Sequence, residues 1–232
     1  MAVWQIILLL LFLLIVPGVW LFRRCVRYAQ ADWGGPWLNS LDGLNRLFCR
    51  YVHRLRHDEI PLPDSGPALL VCNHVSGLEP LLTIAATHRP IRFLIAREEY
   101  ERFGLQWLFR AIGAIPVERK GRPEVALRNA RRALENGEVV MLFPHGSIHL
   151  DSDPPRKLKG GVAVLARLSG APVIPLRVTG IKGEGYTVRA VFMRSHARLR
   201  SFAPIACAQL DTAECLARIA PLIEGRADQA QP

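Results

Sequence analysis

His74 and Glu79 have the residue types and spacing needed for acid–base chemistry. They follow an apolar run, Ala68–Cys72, that has the length of a buried strand, and a second apolar run comes after them. Where a strand gives way to a helix, side chains project into a cleft and backbone N–H groups favour an anion. The carboxylate could fix one imidazole tautomer and leave the other ring nitrogen free to take a proton from a hydroxyl. The alternative is a strand-end loop whose asparagine or serine caps the next helix.

Composition limits the classes of partner. The chain has 232 residues, half of them hydrophobic, and a formal net charge of +10 that is carried mostly by arginine. Such a charge suits nucleic acid or an anionic membrane surface. The sequence has no zinc-finger spacing and no RNA-binding aromatic signature, so we expect no nucleic-acid partner. The five cysteines are odd in number and scattered, which predicts buried thiols in a reducing compartment and no disulfides.

The N-terminal segment is long and apolar enough to span a bilayer. Residues 3–22 are apolar apart from Gln5, and about 20 residues at about 1.5 Å each cross a hydrocarbon core of about 30 Å. A signal peptide is the alternative, but we find neither a basic segment before this run nor a small-residue cleavage site. Arg23, Arg24 and Arg27 follow the run directly. They predict a single-pass protein of the bacterial inner membrane with its main domain on the cytoplasmic face.

An amphipathic segment follows, from Trp33 to His57. Apolar residues recur in it at helical spacing, and four arginines lie between them: Arg46, Arg50, Arg54 and Arg56. This pattern is typical of a helix in the headgroup layer, and equally of a surface helix packed on the domain. A proline-rich stretch, residues 61–67, then marks a boundary.

The remaining chain alternates strand-like and helix-like patterns. Predicted strands are residues 68–72, 91–96, 114–117, 139–143, 173–178 and 186–192. Predicted helices are residues 80–87, 98–112, 123–136, 161–169 and 211–224. This alternation predicts an α/β fold, a single domain with a mixed central sheet flanked by helices.

Four segments of different character follow from these patterns. We predict a transmembrane anchor over residues 1–24 and an amphipathic membrane-interface segment over residues 25–60. The main domain is expected at residues 61–225, followed by a flexible tail at residues 226–232.

Four loops at strand ends carry polar residues that a purely structural role does not require. They are Asn73-His74-Val-Ser76-Gly-Leu-Glu79-Pro80; Gly113 to Arg119 with Lys120 and Arg122; Phe143-Pro-His145-Gly146-Ser147; and Lys157-Leu-Lys159-Gly160-Gly161 with Pro172-Val-Ile-Pro175 downstream. In this order they resemble the glycerolipid acyltransferase superfamily, whose type members acylate lysophosphatidic acid. The family pattern is N-H-x-S-x-x-D-P, then G-x-x-F-I-D-R, F-P-E-G-T-R-S, a Lys-Gly run and V-I-P-V. The resemblance covers roughly residues 65–180.

The resemblance implies an O-acyltransferase that moves a fatty acyl chain from acyl-CoA or acyl-ACP to a lyso-lipid hydroxyl. His74 would be the general base and Glu79 would orient it, a pairing that typically supplies about 10²–10⁴-fold in rate. The thioester would be a co-substrate, and no other cofactor is implied.

The same resemblance assigns the substrate-binding residues. Arg119, with Lys120 and Arg122, would bind an anionic head group. Gly146 and Ser147 would approach the acceptor closely. The predicted substrate-binding set is completed by Asn73, Ser76, His145 and Lys159.

Several positions depart from the family pattern, and those in the second loop, Pro116 for phenylalanine and Glu118 for aspartate, are the milder changes. Glu79 replaces aspartate and is one methylene longer, His145 replaces the glutamate of the third loop, and Ile148 replaces its arginine. We therefore keep two acceptors open, a lysophospholipid and a lyso-aminolipid. We also keep open a catalytically impaired lipid-binding or scaffolding protein of the same fold.

Two other chemistries receive little support from the sequence. A metal site at His145, His149 and Asp151 lacks a recognisable ligand spacing. A serine hydrolase would use Ser76 or Ser147, but neither lies in a G-x-S-x-G elbow.

Overall fold

The computed structural model describes residues 2–118, 121 and 123–226. Its strands are β1 Arg56–His57, β2 Ala68–Cys72, β3 Ile91–Ala96, β4 Ile115–Val117, β5 Val139–Leu142, β6 Val173–Thr179 and β7 Arg198–Ser201. Its helices are α1 Ala2–Tyr28, α2 Pro36–Tyr51, α3 Glu79–Ala86, α4 Arg97–Tyr100, α5 Gln106–Ala111, α6 Pro123–Glu135, α7 Gly161–Ser169, α8 Arg189–Phe192 and α9 Thr212–Ile223.

The strands form one mixed sheet, which confirms the predicted fold class. Their order is β1-β7-β6-β2-β5-β3-β4, and all neighbours are parallel except β6 and β7. β2 lies at the centre, with Leu70 opposite both Met141 of β5 and Ile174 of β6. Parallel strands end at one edge of a sheet, so the loops after β2 and β5 lie next to each other.

Two apolar layers cover the sheet. On one face Leu70 and Cys72 pack with Leu82 of α3, and on the other Leu69 and Val71 pack with residues of α6, α7 and α9. Because both faces are covered, every residue of β2 is buried, and the strand is a continuous apolar run without alternation.

The N-terminal helices pack against each other at close range. A Cβ on Gly43 of α2 would collide with the carbonyl oxygen of Cys25 in α1, so only glycine permits this approach. The candidate span Val3–Tyr28 is long and apolar enough to cross a membrane, and most of its side chains are exposed. This agrees with the predicted anchor by length and composition.

Arg46 corrects part of the expectation for the amphipathic segment. It is buried and donates to Asp42 Oδ2 at 2.8 Å and to the backbone carbonyls of Ala85 in the last turn of α3 and Thr87 just after it. It therefore fastens α2 to the domain and cannot lie in a headgroup layer. Arg50 on the same helix is exposed.

Three secondary-structure predictions were wrong. The strand predicted at residues 186–192 is a loop that ends in α8, and the helix predicted at residues 98–112 is divided into α4 and α5 around Gly104, whose φ is +80°. β1 and β7 were missed because they are short and rich in arginine, and they join the sheet only through tertiary pairing.

The cysteine prediction was wrong for one pair. Cys207 and Cys215 form a disulfide, whereas Cys25, Cys49 and Cys72 are free and buried. A turn of 3₁₀ helix and the start of α9 bring the pair together, a proximity that spacing along the chain does not reveal.

Candidate active site

The carboxylate of Glu79 is fixed by the backbone of its own loop. Its Oε1 accepts hydrogen bonds from the N–H groups of Val75 at 2.7 Å and Ser76 at 2.6 Å. Its Oε2 accepts from Ser76 Oγ at 3.3 Å. Glu79 is the first residue of α3 and is fully buried, so the positive end of the helix also favours its charge. The extra methylene, compared with aspartate, lets the carboxylate reach back from the helix to the loop.

His74 lies between this carboxylate and a large cavity. Its Nδ1 is 3.4 Å from Glu79 Oε2, and its ring stacks on Phe143 with centroids 4.1 Å apart. The carbonyl of His74 accepts the backbone N–H of His149 at 2.7 Å, which fixes the loop from a second side. The Nδ1 contact is longer than the usual 2.9 Å or so and lacks hydrogen-bond alignment, as catalytic contacts often do before substrate binds.

The arrangement leaves one ring nitrogen available for chemistry. With Nδ1 directed at a carboxylate, a neutral imidazole carries its proton there and presents a lone pair at Nε2. His74 lines the cavity, so a hydroxyl bound in the cavity could reach this nitrogen. The neighbouring Cys72 is not a competing nucleophile, because burial, with the nearby Glu79 charge, raises the pKa of its thiol well above the usual value.

Asn73 and Ser76 have partners inside the protein. Asn73 donates through Nδ2 to the carbonyl of Val178 and accepts its N–H at Oδ1, both at 2.8 Å, which joins β2 to β6. Ser76 is fully buried, and its Oγ accepts the N–H of Leu78 at 3.0 Å while donating to Glu79. These contacts give both residues a positioning part, and their direct contact with substrate stays a prediction.

The loop after β5 brings Gly146 and Lys159 to the same cavity. Gly146 has a φ of +75°, and a Cβ there would collide with the ammonium end of the Lys159 side chain. The N–H of Lys159 donates to the carbonyl of Pro144 at 2.9 Å, which fixes the start of that side chain. Glycine is thus needed at this position both for the turn and for the lysine.

His145 and Ser147 of the same loop have partners elsewhere. Ser147 Oγ accepts from Arg156 at 2.8 Å. The buried ring of His145 lies 4.4 Å from that of His149, with its Nε2 3.5 Å from Glu224 at the end of α9. Neither side chain lines the cavity among the residues that the structure describes. Their predicted contact with substrate remains untested.

Burial also changes the acid–base behaviour of His145. Desolvation, followed by the charges of His149 and Arg156, lowers the pKa of His145, and Glu224 opposes the shift only in part. Its surroundings therefore favour the neutral form of the imidazole over the charged form. Within the described ranges, no group of three His, Cys, Asp or Glu residues is arranged to hold a metal ion.

The cavity beside His74 is large and mainly apolar, with a volume of about 1030 Å³. Its walls come from α2, α3, β3, α5 and the segment before α8, which are far apart in the sequence. Representative wall residues are Leu41, Phe48, Ile84, Leu108 and Val191. A cavity of this kind suits a flexible hydrocarbon chain, with its reactive end at His74.

Sequence reasoning missed two contributors to this site. Phe143 was quoted in the third loop without a role, although an aromatic residue directly after a strand, level with His74, is the signal that could have identified it. The cavity side chains of α2 were assigned to a membrane or domain surface, because periodicity does not say what an apolar face meets. Arg119, Lys120 and Arg122 lie outside the described residues.

The chain is similar to known bacterial proteins over about half of its length. In Bacillus subtilis (strain 168), a 1-acyl-sn-glycerol-3-phosphate acyltransferase is 26% identical over 121 residues, covering 51% of this chain and 59% of the relative. Its Streptococcus pneumoniae counterpart is 26% identical over 131 residues, covering 56% of this chain and 47% of the relative. The chain thus spans about half the length of these curated relatives.

A solved structure supports the fold. The crystal structure of the 1-acyl-sn-glycerophosphate (LPA) acyltransferase PlsC from Thermotoga maritima superposes with a TM-score of 0.64 at 18% identity. The match covers 84% of this chain and 83% of that one. Residues 54–179, more than half of the chain and including both β2 and β5 with their loops, match the family described as Acyltransferase. The chain therefore belongs to the acyltransferase family.

Proposed function

We propose that the protein is a membrane-anchored O-acyltransferase that transfers a fatty acyl chain from acyl-CoA or acyl-ACP to the hydroxyl of a lyso-lipid. The observation that carries this proposal is the position of His74, between the buried Glu79 carboxylate and a large apolar cavity. The two bacterial relatives, named as acyltransferases of 1-acyl-sn-glycerol-3-phosphate, support a lysophospholipid acceptor. The lyso-aminolipid stays open because His145 and Ile148 depart from the third motif.

The reaction requires one base and no covalent acyl-enzyme. His74 Nε2 takes the proton from the acceptor hydroxyl as its oxygen attacks the thioester carbonyl carbon. The carbon–sulfur bond then breaks, and the thiolate leaves with the proton that the imidazolium held. Glu79 stabilises the imidazolium between these steps through the 3.4 Å contact with Nδ1. This contact argues against a catalytically impaired protein, for which the carboxylate would lie out of reach.

In this proposal, each part of the substrates has a place in or beside the cavity. The acyl chain would occupy the space between α2, α3 and α5, away from water. Lys159, exposed at the cavity beside Gly146, is placed to attract a phosphate of the acceptor or of the thioester donor. The positively charged chain and the apolar helix α1 support a cytoplasmic-membrane location with the domain on the cytoplasmic side.

Acyl transfer by membranes that contain the full chain tests the proposal. We expect mass spectrometry to show a diacyl product from acyl-CoA or acyl-ACP with at least one lyso-lipid, and His74→Ala to abolish it. His88→Ala is the matched control, because His88 is half-exposed, pairs with Asp64 at 3.6 Å, and does not line the cavity. Wild-type transfer by His74→Ala would overturn the mechanism.

A lipid inventory of a strain that lacks the protein would identify the acceptor. Accumulation of a lysophospholipid or of a lyso-aminolipid, with loss of the matching diacyl lipid, distinguishes the two acceptors. An unchanged lipid inventory together with no transfer in isolated membranes would contradict the proposed function.

A further inference from the structure

Several exposed apolar side chains surround the mouth of the cavity. Among the described residues, four large hydrophobic side chains both line the cavity and are exposed to solvent: Leu44, Leu105, Val188 and Phe192. They come from α2, from the turn before α5, and from the segment that ends in α8. Apolar side chains that surround an opening from several sides mark a surface that another apolar phase covers.

The turn between α4 and α5 extends this surface. Phe103 is fully exposed, and Trp107 on α5 is more than half exposed. Phe103 lies between two cavity-lining residues, Arg102 and Leu105, next to Gly104 with a φ of +80°. An aromatic ring at the tip of a glycine turn gains nothing from the protein interior. We call these six residues the rim: Leu44, Phe103, Leu105, Trp107, Val188 and Phe192.

Charge near α8 favours one kind of apolar phase. Arg189 and Arg194 are exposed beside Phe192, and the Arg189 guanidinium lies 5.2 Å from the ring centroid of the exposed Tyr186. Interleaved aromatic and arginine side chains suit the boundary between headgroups and acyl chains, where the cations meet anionic phosphates.

The rim is also continuous with the membrane-spanning candidate. α1 packs on α2 at Gly43, and Leu44, the next residue, belongs to the rim. His53, just after α2, joins its Nε2 to the carbonyl of Val191 at 3.0 Å, so that the end of α2 holds the α8 segment. These contacts form a continuous connection from α1 through α2 to the α8 segment at the cavity mouth.

We propose that the rim is a second membrane-docking surface, distinct from α1, which seats the cavity mouth in the headgroup layer of an anionic bilayer. Acyl chains then pass between bilayer and cavity without crossing water. Only the consequence of docking, the path of the acyl chains into the cavity, rests on the proposed function. The docking itself requires no catalysis.

Fluorescence from labels on the rim tests the docking. The full chain is reconstituted into phosphatidylcholine–phosphatidylglycerol vesicles with an environment-sensitive dye on Phe103→Cys or Phe192→Cys. The matched control is Leu168→Cys, because Leu168 is an exposed apolar residue on α7 that does not line the cavity. We expect blue-shifted emission and quenching by spin-labelled lipid at positions 103 and 192, and neither at 168. Emission at 103 and 192 that equals emission at 168 would overturn the proposal.

A second copy of the chain is the other occupant that the test distinguishes. Cysteine cross-links between position 103 of two chains in vesicles, with no quenching by spin-labelled lipid, would show that a second chain covers the rim. This result would overturn the proposal. Quenching without cross-links supports the bilayer.

An activity measurement separates docking from chemistry. Phe103→Ser is expected to lower transfer to a long-chain lyso-lipid in vesicles by about tenfold and to leave transfer to a short-chain, water-soluble analogue unchanged. Equal loss with both acceptors would overturn the docking role. If the unmodified protein transferred an acyl chain to no acceptor, the proposed function would be contradicted but the docking would not. The fluorescence experiment tests the docking and does not depend on activity.

Discussion

The loop after β2 and the loop after β5 lie at the same edge of the sheet, yet the polar side chains of the two loops have different kinds of partner. In the first loop, Glu79 is held by backbone N–H groups and supports an imidazole that faces the cavity. In the second, the side chains of His145 and Ser147 meet partners away from the cavity, and Gly146 contributes only backbone there. Under the proposed function, the first loop would therefore supply the acid–base pair, and the second loop would shape the space around it.

This difference has a physical cause. The Glu79 carboxylate accepts hydrogen bonds from the backbone N–H groups of Val75 and Ser76, four and three residues earlier, so its position is fixed by its own loop. In the second loop, the side chain of His145 has its partner in a distant element, Glu224 at the end of α9, and Ser147 accepts from Arg156 of the same loop. The second loop also contacts His74, through the ring of Phe143 and the backbone N–H of His149.

Apart from the loss of transfer in His74→Ala, the largest expected effect comes from Glu79→Gln. The amide removes the charge that stabilises imidazolium and turns an N–H₂ group toward backbone donors, so we expect kcat to fall by about 10²–10⁴-fold. The matched control is Glu138→Gln, a half-exposed carboxylate paired with Arg92 at 2.7 Å, far along the chain. Steady-state acyl transfer measures both, and a Glu79→Gln variant as active as its control would remove the orienting role.

Lys159→Met is expected to act mainly on binding. Loss of one charge-assisted contact with a substrate phosphate should raise KM for the anionic substrate by roughly tenfold and change kcat little. Lys157→Met provides the comparison, because Lys157 is also exposed, lies two residues earlier and does not line the cavity. Equal KM values for the two variants would show that the second loop contributes no charge to binding.

The smallest effect is expected at His145, in stability and not in rate. Since burial lowers its pKa, the unfolded chain binds more protons at acidic pH, and the folded state loses stability as the pH falls below about 6.5. His145→Gln should reduce this loss between pH 7 and pH 5. The facing groups are His149, Glu224 and Arg156.

Urea unfolding of the detergent-solubilised protein at several pH values measures this dependence. His88→Gln is the control, because His88 is half-exposed. If wild type and His145→Gln lose stability in parallel, acid sensitivity arises elsewhere, for example at the buried His53, whose pKa burial also lowers.

The sequence alone determined the central strands and the position of the acid–base pair. β2 and β3 were predicted with their observed bounds. β2 is covered on both faces and is therefore a continuous apolar run, whereas β3 contains Arg92 and is only partly buried. His74 and Glu79 are five residues apart, and their contact depends on one local turn, which their spacing already encodes. For the same reason the N-cap of α9 at Asp211 lies where the predicted helix begins.

Only the tertiary structure determined which distant parts of the chain contact the faces of α2 and the side chain of His145. Periodicity showed that α2 has an apolar side, but not that this side lines a cavity opposite α5, nor that Arg46 is buried against the residues after α3. It likewise could not show that His145 faces Glu224 across some 80 residues of chain. Such contacts depend on how whole elements pack, which no local pattern of residue types records.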